Sequence, residues 1–460
     1  MIVKKLASVF FLLIFTAGFA QPLSLKDAVE TGVANYGTIL AKGKYAAAAN
    51  ETVKQTKRDY LPNLSVSAQQ DYGTVNGQNG PLYGFGGLGV ASSGLPLPDQ
   101  NWNAAFGALY LVNMNWDFYT FGKIKQRISL SKADAERFKK DFEQEKFQHK
   151  IKIAAAYLNL LASQRLVISQ QKNLDRSMVF QRLAAVRVKN GLLAGVDSTL
   201  ASAEVSRAKI ALNQIKNQVK DQNNKLVALM GVPIQDFILD SAFVKQIPKS
   251  ILTLNANDSI NPVLEFYKSR VDYGKQQLKL FKRDYYPNFS LFGVYQTRGS
   301  GFNSDYASNQ NSFNENYFDG INPVRQNYLV GVGVTWNLTT ILRNSKRVSA
   351  QRLIADGLQD EYNVVGQQLK TQSDAADAKI RFAMDNYIES PKQVDAAKQA
   401  YLQRATLYKN GLTNLTDITQ AFYTLNRAEI DRDIIYANVW QSLLLKAAAT
   451  GDFDSFINEF

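Results

Sequence analysis

Lys57-Arg-Asp-Tyr-Leu-Pro-Asn63 returns as Lys282-Arg-Asp-Tyr-Tyr-Pro-Asn288, at an offset of 225 residues. Trp116 returns as Trp336 at an offset of 220, and from there the offset holds. Arg127 matches Arg347, Asp175 matches Asp395, and Lys189-Asn-Gly-Leu192 matches Lys409-Asn-Gly-Leu412. Asp197, Thr199, Arg207, Ala208 and Gly231 match Asp417, Thr419, Arg427, Ala428 and Gly451. So many matches in one register mark an internal duplication, and a missed repeat mis-assigns the whole fold. The shift from 225 to 220 falls between Asn63 and Trp116, in a stretch rich in Gly, Pro, Ser and Asn, the composition of a surface loop. Residues 21–250 form the first expected repeat and residues 251–460 the second.

Each repeat reads helix, strand, loop, strand, long helix, turn, long helix. The first helix is expected from Leu25 to Arg58, with Ser24 as its N-cap. It ends before Leu61-Pro62, because Pro holds the residue before it in extended geometry. The strands carry the most information. Ala108, Tyr110, Val112, Met114, Trp116 and Phe118 alternate with Leu109, Leu111, Asn113, Asn115 and Asp117. In the second repeat Tyr328, Val330, Val332, Val334, Trp336 and Leu338 alternate with Asn327, Leu329, Gly331, Gly333, Thr335 and Asn337. A period of two places each set on one face. One face is apolar and carries Trp; the other is small or polar, more cleanly in the second repeat. A strand of a soluble sheet also alternates, but strand length near ten and a polar face of Asn, Gly and Thr favour a membrane barrel strand with an interfacial aromatic. The partner strands, Leu64 to Tyr72 and Phe289 to Arg298, alternate less cleanly.

Phe121 to Asn190 contains no Pro and, past Gly122, no Gly. At 1.5 Å per residue such a helix reaches roughly 100 Å. Val205, Ala208, Leu212, Ile215, Val219, Gln222, Leu226 and Leu229 form a heptad seam on the return helix, and Phe147, Ile151, Ala154, Leu158 and Leu161 form one on the outgoing helix. Pro391 is expected to interrupt and kink the corresponding helix of the second repeat. Gly191 and Gly411 suit left-handed helix ends, and Asp197 and Asp417 suit the N-caps that follow. Each repeat therefore carries a helical hairpin with a tight tip.

The N-terminus has Lys4 and Lys5, an apolar run of 14 residues from Leu6 to Phe19, and Gly18-Phe19-Ala20 before Gln21. This is the order of a secretory signal peptide, residues 1–20, and the run is short of the roughly 20 residues a membrane span needs. Past it no window of 18 apolar residues is expected, so membrane insertion would require a closed β-barrel. The chain has no Cys, which excludes disulfides, a lipidated Cys and Cys-based metal sites. His149 is the single His, expected to be solvated or packed and not a ligand. The net charge of +13 is spread along amphipathic stretches, so it reads as solvated helix faces and not as a nucleic-acid surface. Gly84-Phe-Gly-Gly-Leu-Gly89 matches a dinucleotide fingerprint but lacks the strand before it and the helix after it, and reads as a loop. No carboxylate, His and nucleophile gather into a catalytic group, so no enzyme activity and no cofactor are expected. Five Met, one His and no Cys also disfavour a copper or silver path.

Four strands do not close a barrel, since small barrels take about eight. If the strands are in the membrane, oligomerisation follows, and three chains supply twelve strands, an even number within the usual range. The twofold repeat, the Leu61-Pro62-Asn63 and Tyr286-Pro287-Asn288 leads into the strands, Asn261-Pro262 near the start of the second repeat, and the hairpin tips together resemble the TolC family of outer-membrane factors. The resemblance covers essentially the whole mature chain, and departs where Asn35-Tyr36 replaces Asn-Pro. It implies an α+β membrane protein and a homotrimer: a 12-stranded outer-membrane β-barrel in outer-membrane lipid, continued by a periplasmic α-helical barrel. It implies that the tips, Asn190, Gly191, Leu192, Asn410, Gly411 and Leu412, meet a periplasmic adaptor protein linked to an inner-membrane RND or ABC transporter. It implies a periplasmic gate at Asp197, Tyr408 and Asp417, with Trp116 and Trp336 as membrane-interface aromatics. The family's second gate carboxylate is Gln420 here, which weakens any cation-binding ring. The expected function is a passive exit duct of a tripartite efflux pump or type I secretion system, localised to the outer membrane. The rival is a periplasmic coiled-coil adaptor or structural protein, which leaves the Trp-bearing alternating strands unexplained.

Overall fold

A computed structural model describes residues 22–77, 94–191, 194–240, 248 and 261–460. The signal segment 1–20, the glycine-rich 84–89 and Leu192 lie outside the described residues. The elements run α1 (Leu25–Asn35), α2 (Gly37–Arg58), β1 (Asn63–Thr74), β2 (Ala104–Tyr119), α3 (Lys123–Lys189) and α4 (Gly195–Met230). Then come α5 (Pro262–Phe281), β3 (Asn288–Ser300), α6 (Tyr317–Ile321), β4 (Arg325–Thr335), α7 (Thr339–Lys409), α8 (Leu415–Thr450) and α9 (Phe453–Ile457). Two compact units result: residues 50–133 with 273–355, and residues 1–49, 134–272 and 356–460. Their boundaries fall within α2, α3, α5 and α7, not at the junction of the two sequence repeats.

The first unit holds the sheet. Its four strands pair antiparallel in the order β1-β2-β3-β4. The register lines up Leu64, Met114, Gly293 and Val330 across the sheet, then Val66, Val112, Tyr295 and Tyr328, then Trp116, Leu291 and Val332. Opposed residues of an antiparallel pair share a face, so these rows form one apolar face. The other face aligns Ser65, Asn113, Val294 and Leu329, and Ser67, Leu111, Gln296 and Asn327. The less regular partner strands thus extend the apolar face set by β2 and β4. Tyr328, Val330, Val332 and Val334 are 83, 67, 63 and 59 % exposed. A contiguous apolar surface of this kind marks a site for lipid or protein, not water.

Both repeated sequence motifs meet in this unit. Arg127 reaches the carboxylate of Asp59 at 3.3 Å, and Arg347 that of Asp284 at 3.3 Å. Trp116 Nε1 donates to the Tyr60 carbonyl at 2.7 Å, and Trp336 Nε1 to the Tyr285 carbonyl at 3.2 Å. Each Lys-Arg-Asp-Tyr corner is therefore held by the Trp and the Arg that leave the strand it pairs with. β4 stops at Thr335, short of the expected Leu338. Asn337 turns the chain into α7 by accepting from the Thr339 hydroxyl at 2.9 Å and the Thr340 N–H at 3.3 Å.

The second unit is helical, and its central core gathers Leu25 and Val29 of α1, Phe147 to Leu161 of α3, Leu226 and Met230 of α4, and Trp440 to Ala447 of α8. Ser24 caps α1, as expected, accepting from the Asp27 N–H at 3.1 Å. The first helix is not continuous: Tyr36 is extended and divides α1 from α2. Its ring stacks on His149 at 3.8 Å. His149 is fully buried, its Nε2 lies 2.9 Å from the Leu229 carbonyl, and burial lowers its pKa. Away from the core, Leu174, Val205, Ala208 and Leu212 seal the α3–α4 hairpin, while Val394, Ala397, Leu425 and Ala428 seal α7–α8. Leu174, Val205 and Ala208 correspond to Val394, Leu425 and Ala428 at the 220-residue offset.

Two expectations are corrected here. α7 runs unbroken through Pro391. The carbonyl that the missing N–H would have met, on Tyr387, accepts instead from the Ser390 hydroxyl at 3.4 Å. Within α3, a window of 18 residues reaches a mean hydropathy of 1.3, where none was expected. The same helix supplies Ile153, Ala154, Tyr157, Leu158, Leu160 and Leu161 to the core, so its apolar content has a packing role.

Gly231 (φ +64°) and Gly451 (φ +88°) end α4 and α8 in the left-handed region. A Cβ at Gly231 would sit 3.3 Å from the Asn35 Cβ; one at Gly451 would sit 2.6 Å from the Asn261 Cα. A left-handed non-glycine costs about 1–2 kcal/mol, and the backbone collision adds to this only at Gly451. G451A is therefore expected to lower the thermal midpoint, followed by circular dichroism of the helices, more than G231A does.

Candidate functional site

The hairpin tips are built by helix-end chemistry. α3 ends at Asn190 and Gly191 (φ +72°), and α7 at Asn410 and Gly411 (φ +79°), both glycines left-handed as expected. Gly191 N–H donates to Val188 and Gly411 N–H to Tyr408, each at 3.0 Å. Leu412 N–H reaches back to the Leu407 carbonyl at 2.9 Å, closing a Schellman turn. Leu412 is 71 % exposed.

Neither Asp197 nor Asp417 is an N-cap, contrary to expectation. The cap of α4 is Ala194, without a side-chain bond, and the cap of α8 is Asn414, which accepts from the Asp417 N–H at 2.9 Å. Each Asp lies one turn later, where a carboxylate still meets the positive end of the helix dipole. That shift leaves the Asp417 carboxylate free for other partners: it accepts from the Thr413 hydroxyl at 2.7 Å and faces Arg404 at 3.5 Å.

Tyr408 is fully buried, with Phe180 at 5.3 Å between ring centroids and the Arg187 guanidinium 5.2 Å from its ring centre. Arg187 also donates to the Tyr408 backbone carbonyl. Burial raises the Tyr408 pKa, the nearby Arg187 opposes this, and Asp197 adds to the rise. A Cβ at Gly411 would lie 3.1 Å from Arg187 Nη2. Tyr408 and Gly411 thus share one neighbourhood with Arg187, which joins the end of α3 to the end of α7, while Asp197 acts on the Tyr408 hydroxyl through its charge. Asp417 has its own partners. Trp116 and Trp336 belong to the sheet unit.

Further from the tips, Tyr423 of α8 donates its hydroxyl proton to Glu204 of α4 and accepts from Arg207. Burial and the Glu204 carboxylate push the Tyr423 pKa up to about 12. Arg176 of α3 grips Glu429 of α8 through two contacts, at 2.6 and 3.2 Å, the bidentate geometry that makes such pairs strong. Sequence reading passed over Arg187, Arg404, Thr413, Glu204 and Tyr423. A signal existed: at these places the repeats differ. Arg187 corresponds to Leu407, Tyr408 to Val188, and Arg404 to Ala184. Among the described residues no group of three or more His, Asp or Glu is placed to hold a metal ion.

The model of the outer membrane efflux protein family matches residues 34–232. A comparison with curated protein sequences gave no match. Among solved structures, the outer membrane protein VceC from Vibrio cholerae is 15 % identical, with TM-score 0.74, covering 93 % of this chain and 96 % of its own. The Campylobacter jejuni CmeC outer membrane channel is 15 % identical, with TM-score 0.71, covering 93 % of this chain and 85 % of its own. The open state of the Neisseria gonorrhoeae MtrE outer membrane channel is 14 % identical, with TM-score 0.71, covering 93 % and 88 %. The sequence pattern of the outer membrane efflux protein family thus covers residues 34–232, and the chain shares the fold of these outer-membrane channels over nearly its whole length.

Proposed function

We propose that this chain is one third of an outer-membrane exit duct for an efflux pump. The observation that carries the reading is the four-stranded antiparallel sheet, with one apolar face exposed and the outer edges of β1 and β4 unpaired among the described residues. In lipid every unpaired backbone group costs several kcal/mol, so only a closed sheet is stable there. Three copies, each adding four strands, close a 12-stranded barrel with the apolar face toward lipid and the Asn, Ser and Gly face toward a wet lumen. The two repeats, residues 21–250 and 251–460, then alternate around the tube. The rival, a periplasmic coiled-coil adaptor, accounts for the helices but not for that exposed sheet face.

In this reading the duct is passive, and energy comes from an inner-membrane RND or ABC transporter. A type I secretion system uses the same arrangement. A periplasmic adaptor docks at Asn190, Gly191, Leu192, Asn410, Gly411 and Leu412. Tyr408, held by Arg187, Asp197, whose charge acts on Tyr408, and Asp417, held by Thr413 and Arg404, keep the periplasmic end shut. A symmetric trimer repeats Asp417 three times around the axis, and a ring of carboxylates selects cations. Gln420 leaves that ring with a single carboxylate per chain. Opening requires the adaptor to bind the open tips more tightly than the closed ones.

Fractionation tests the location: the protein is expected with outer-membrane markers, and a wholly soluble periplasmic pool refutes the duct. Planar-bilayer recording tests the gate. Losing the charged hydrogen bond and the cation–π contact of Arg187 forfeits about 2–3 kcal/mol. R187A is therefore expected to raise the open population of the purified channel by on the order of tenfold or more. D417A is expected to abolish block by added divalent cations, and unchanged block removes Asp417 from the gate.

The contact between α4 and α8 at Tyr423 carries its own pH signature. The Tyr423 pKa is raised from 10.0 when unfolded to about 12 when folded, so its stabilising effect is complete below pH 10 and is lost as pH rises toward 12. Y423F is expected to flatten that part of the alkaline melting curve while leaving the melting point at pH 7 less affected.

A further inference from the structure

The segment between β3 and β4 lies on the apolar face of the sheet, at the strand ends away from the long helices. Tyr317 of α6 stacks edge-on against Phe106 at 5.1 Å, and Phe106 lies 4.7 Å from Tyr72. The Tyr317 hydroxyl donates to Gln70 at 2.7 Å, and the Tyr110 hydroxyl reaches the Ile321 carbonyl at 3.4 Å. Gln70, Tyr72, Phe106 and Tyr110 all belong to the apolar face, Gln70 opposite Ala108, Tyr72 opposite Phe106 and Tyr110 opposite Ala68. The seat is made by small residues. Ala108 and Gly299 sit opposite each other beneath α6, and a Cβ at Gly299 would stand 2.7 Å from the Gly320 carbonyl oxygen. A Cβ at Gly320 would stand 2.5 Å from the Phe106 carbonyl oxygen. The rest of the segment is tied down as well: Asn101 donates to the Gln310 side chain at 2.7 Å and Asn103 to its carbonyl at 2.9 Å.

This docked segment still exposes Phe318 (75 %) and Tyr317 (40 %) on the apolar side. At the other end of the same face stand Trp116 and Trp336. From Trp116 to Phe106 is ten residues of β2. At about 3.4 Å per residue and a tilt of roughly 35–45°, that spans about 24–28 Å, the height of the lipid-facing band of a membrane barrel. Aromatic rings with one wet edge collect at both borders of such a band.

The geometry points to α6 as an interfacial element: Tyr317 and Phe318 rest in the outer boundary of the lipid bilayer and fix, opposite Trp116 and Trp336, the depth at which the barrel sits. A loop that plugged or lined the channel would have to fold to the polar face; this one folds to the lipid face. The occupant is lipid because α6 continues the apolar surface of β2 and β4 at bilayer spacing. The inference rests on the barrel reading proposed above.

The absence of native Cys makes a direct test available. Single variants F318C, V332C and K398C of the full chain carry a nitroxide label in phosphatidylethanolamine–phosphatidylglycerol vesicles. Their collision with lipid-soluble oxygen is compared with that of a water-soluble nickel chelate. The V332C label, mid-band on β4, is expected to meet mainly oxygen, and the K398C label, exposed on α7, mainly nickel. The F318C label is expected between them, at headgroup depth. If it matches K398C while V332C stays in lipid, the α6 inference falls and the barrel stands. If V332C is itself wetted by nickel, both fall. Adding G320V, which drives a side chain into the Phe106 carbonyl, is expected to shift the F318C label toward nickel without moving V332C; no shift overturns the docked seat.

Discussion

A sheet with free edges cannot rest in lipid, and that constraint organises the sheet unit. Backbone N–H and C=O groups have no water to turn to inside a bilayer, so a four-stranded sheet with an apolar face is an incomplete object. The rows running through Leu64, Met114, Gly293 and Val330, and through Val66, Val112, Tyr295 and Tyr328, mean that one slip of register would bring Ser65 or Asn113 to the apolar side. The Trp and Arg contacts at the two Lys-Arg-Asp-Tyr corners oppose such a slip, because each ties the start of one strand to the end of its neighbour. The corners are the longest motif that the duplication preserved. Their preservation makes physical sense, since an error there would displace every side chain of two strands.

The helical unit solves a different problem with the same economy of parts. Its two hairpins are sealed at matching positions by matching residues, Ala208 and Ala428 among them, where a small side chain lets two backbones approach. The left-handed glycines Gly231 and Gly451 end both return helices against an Asn, Asn35 or Asn261. The repeats part company at the tips. Arg187 has no counterpart in the second hairpin, and Tyr408 has none in the first. A clamp between two different hairpins needs unlike partners, a cation on one and an aromatic with a carbonyl on the other. Equivalent residues on both would meet as Arg against Arg or Tyr against Tyr. Symmetry serves the seams, and its loss serves the contact between hairpins.

The same logic separates the polar contacts by worth. Exposed helix pairs such as Lys54 with Glu51 or Lys392 with Glu389 contribute little. Arg176 with Glu429, and Ser169 with the buried Asp433 at 2.6 Å, are partly or fully withdrawn from water and join α3 to α8. Removing one partner of such a pair leaves a buried charge or acceptor, which costs more than the pair itself supplies. These are the contacts that hold the two hairpins in register along their length.

The sequence by itself determined the repeat, the four strands and their apolar face, the hairpins, the seams and the left-handed glycines. Periodicity and glycine placement are local properties, written within a few residues of where they act. It misplaced the caps of α4 and α8, because Asp, Asn and Ser are all good caps and only the path of the chain shows which one stands before the first turn. It joined α1 to α2, because nothing next to Tyr36 in the chain announces His149, more than a hundred residues away, on which its ring stacks. It expected a break at Pro391, where α7 runs on as one helix. It marked the Arg187–Tyr408 clamp only as a departure between the repeats, and gave no hint of α6 lying on the apolar face. Those contacts join residues distant in sequence, and only the tertiary structure brings their side chains within reach of each other.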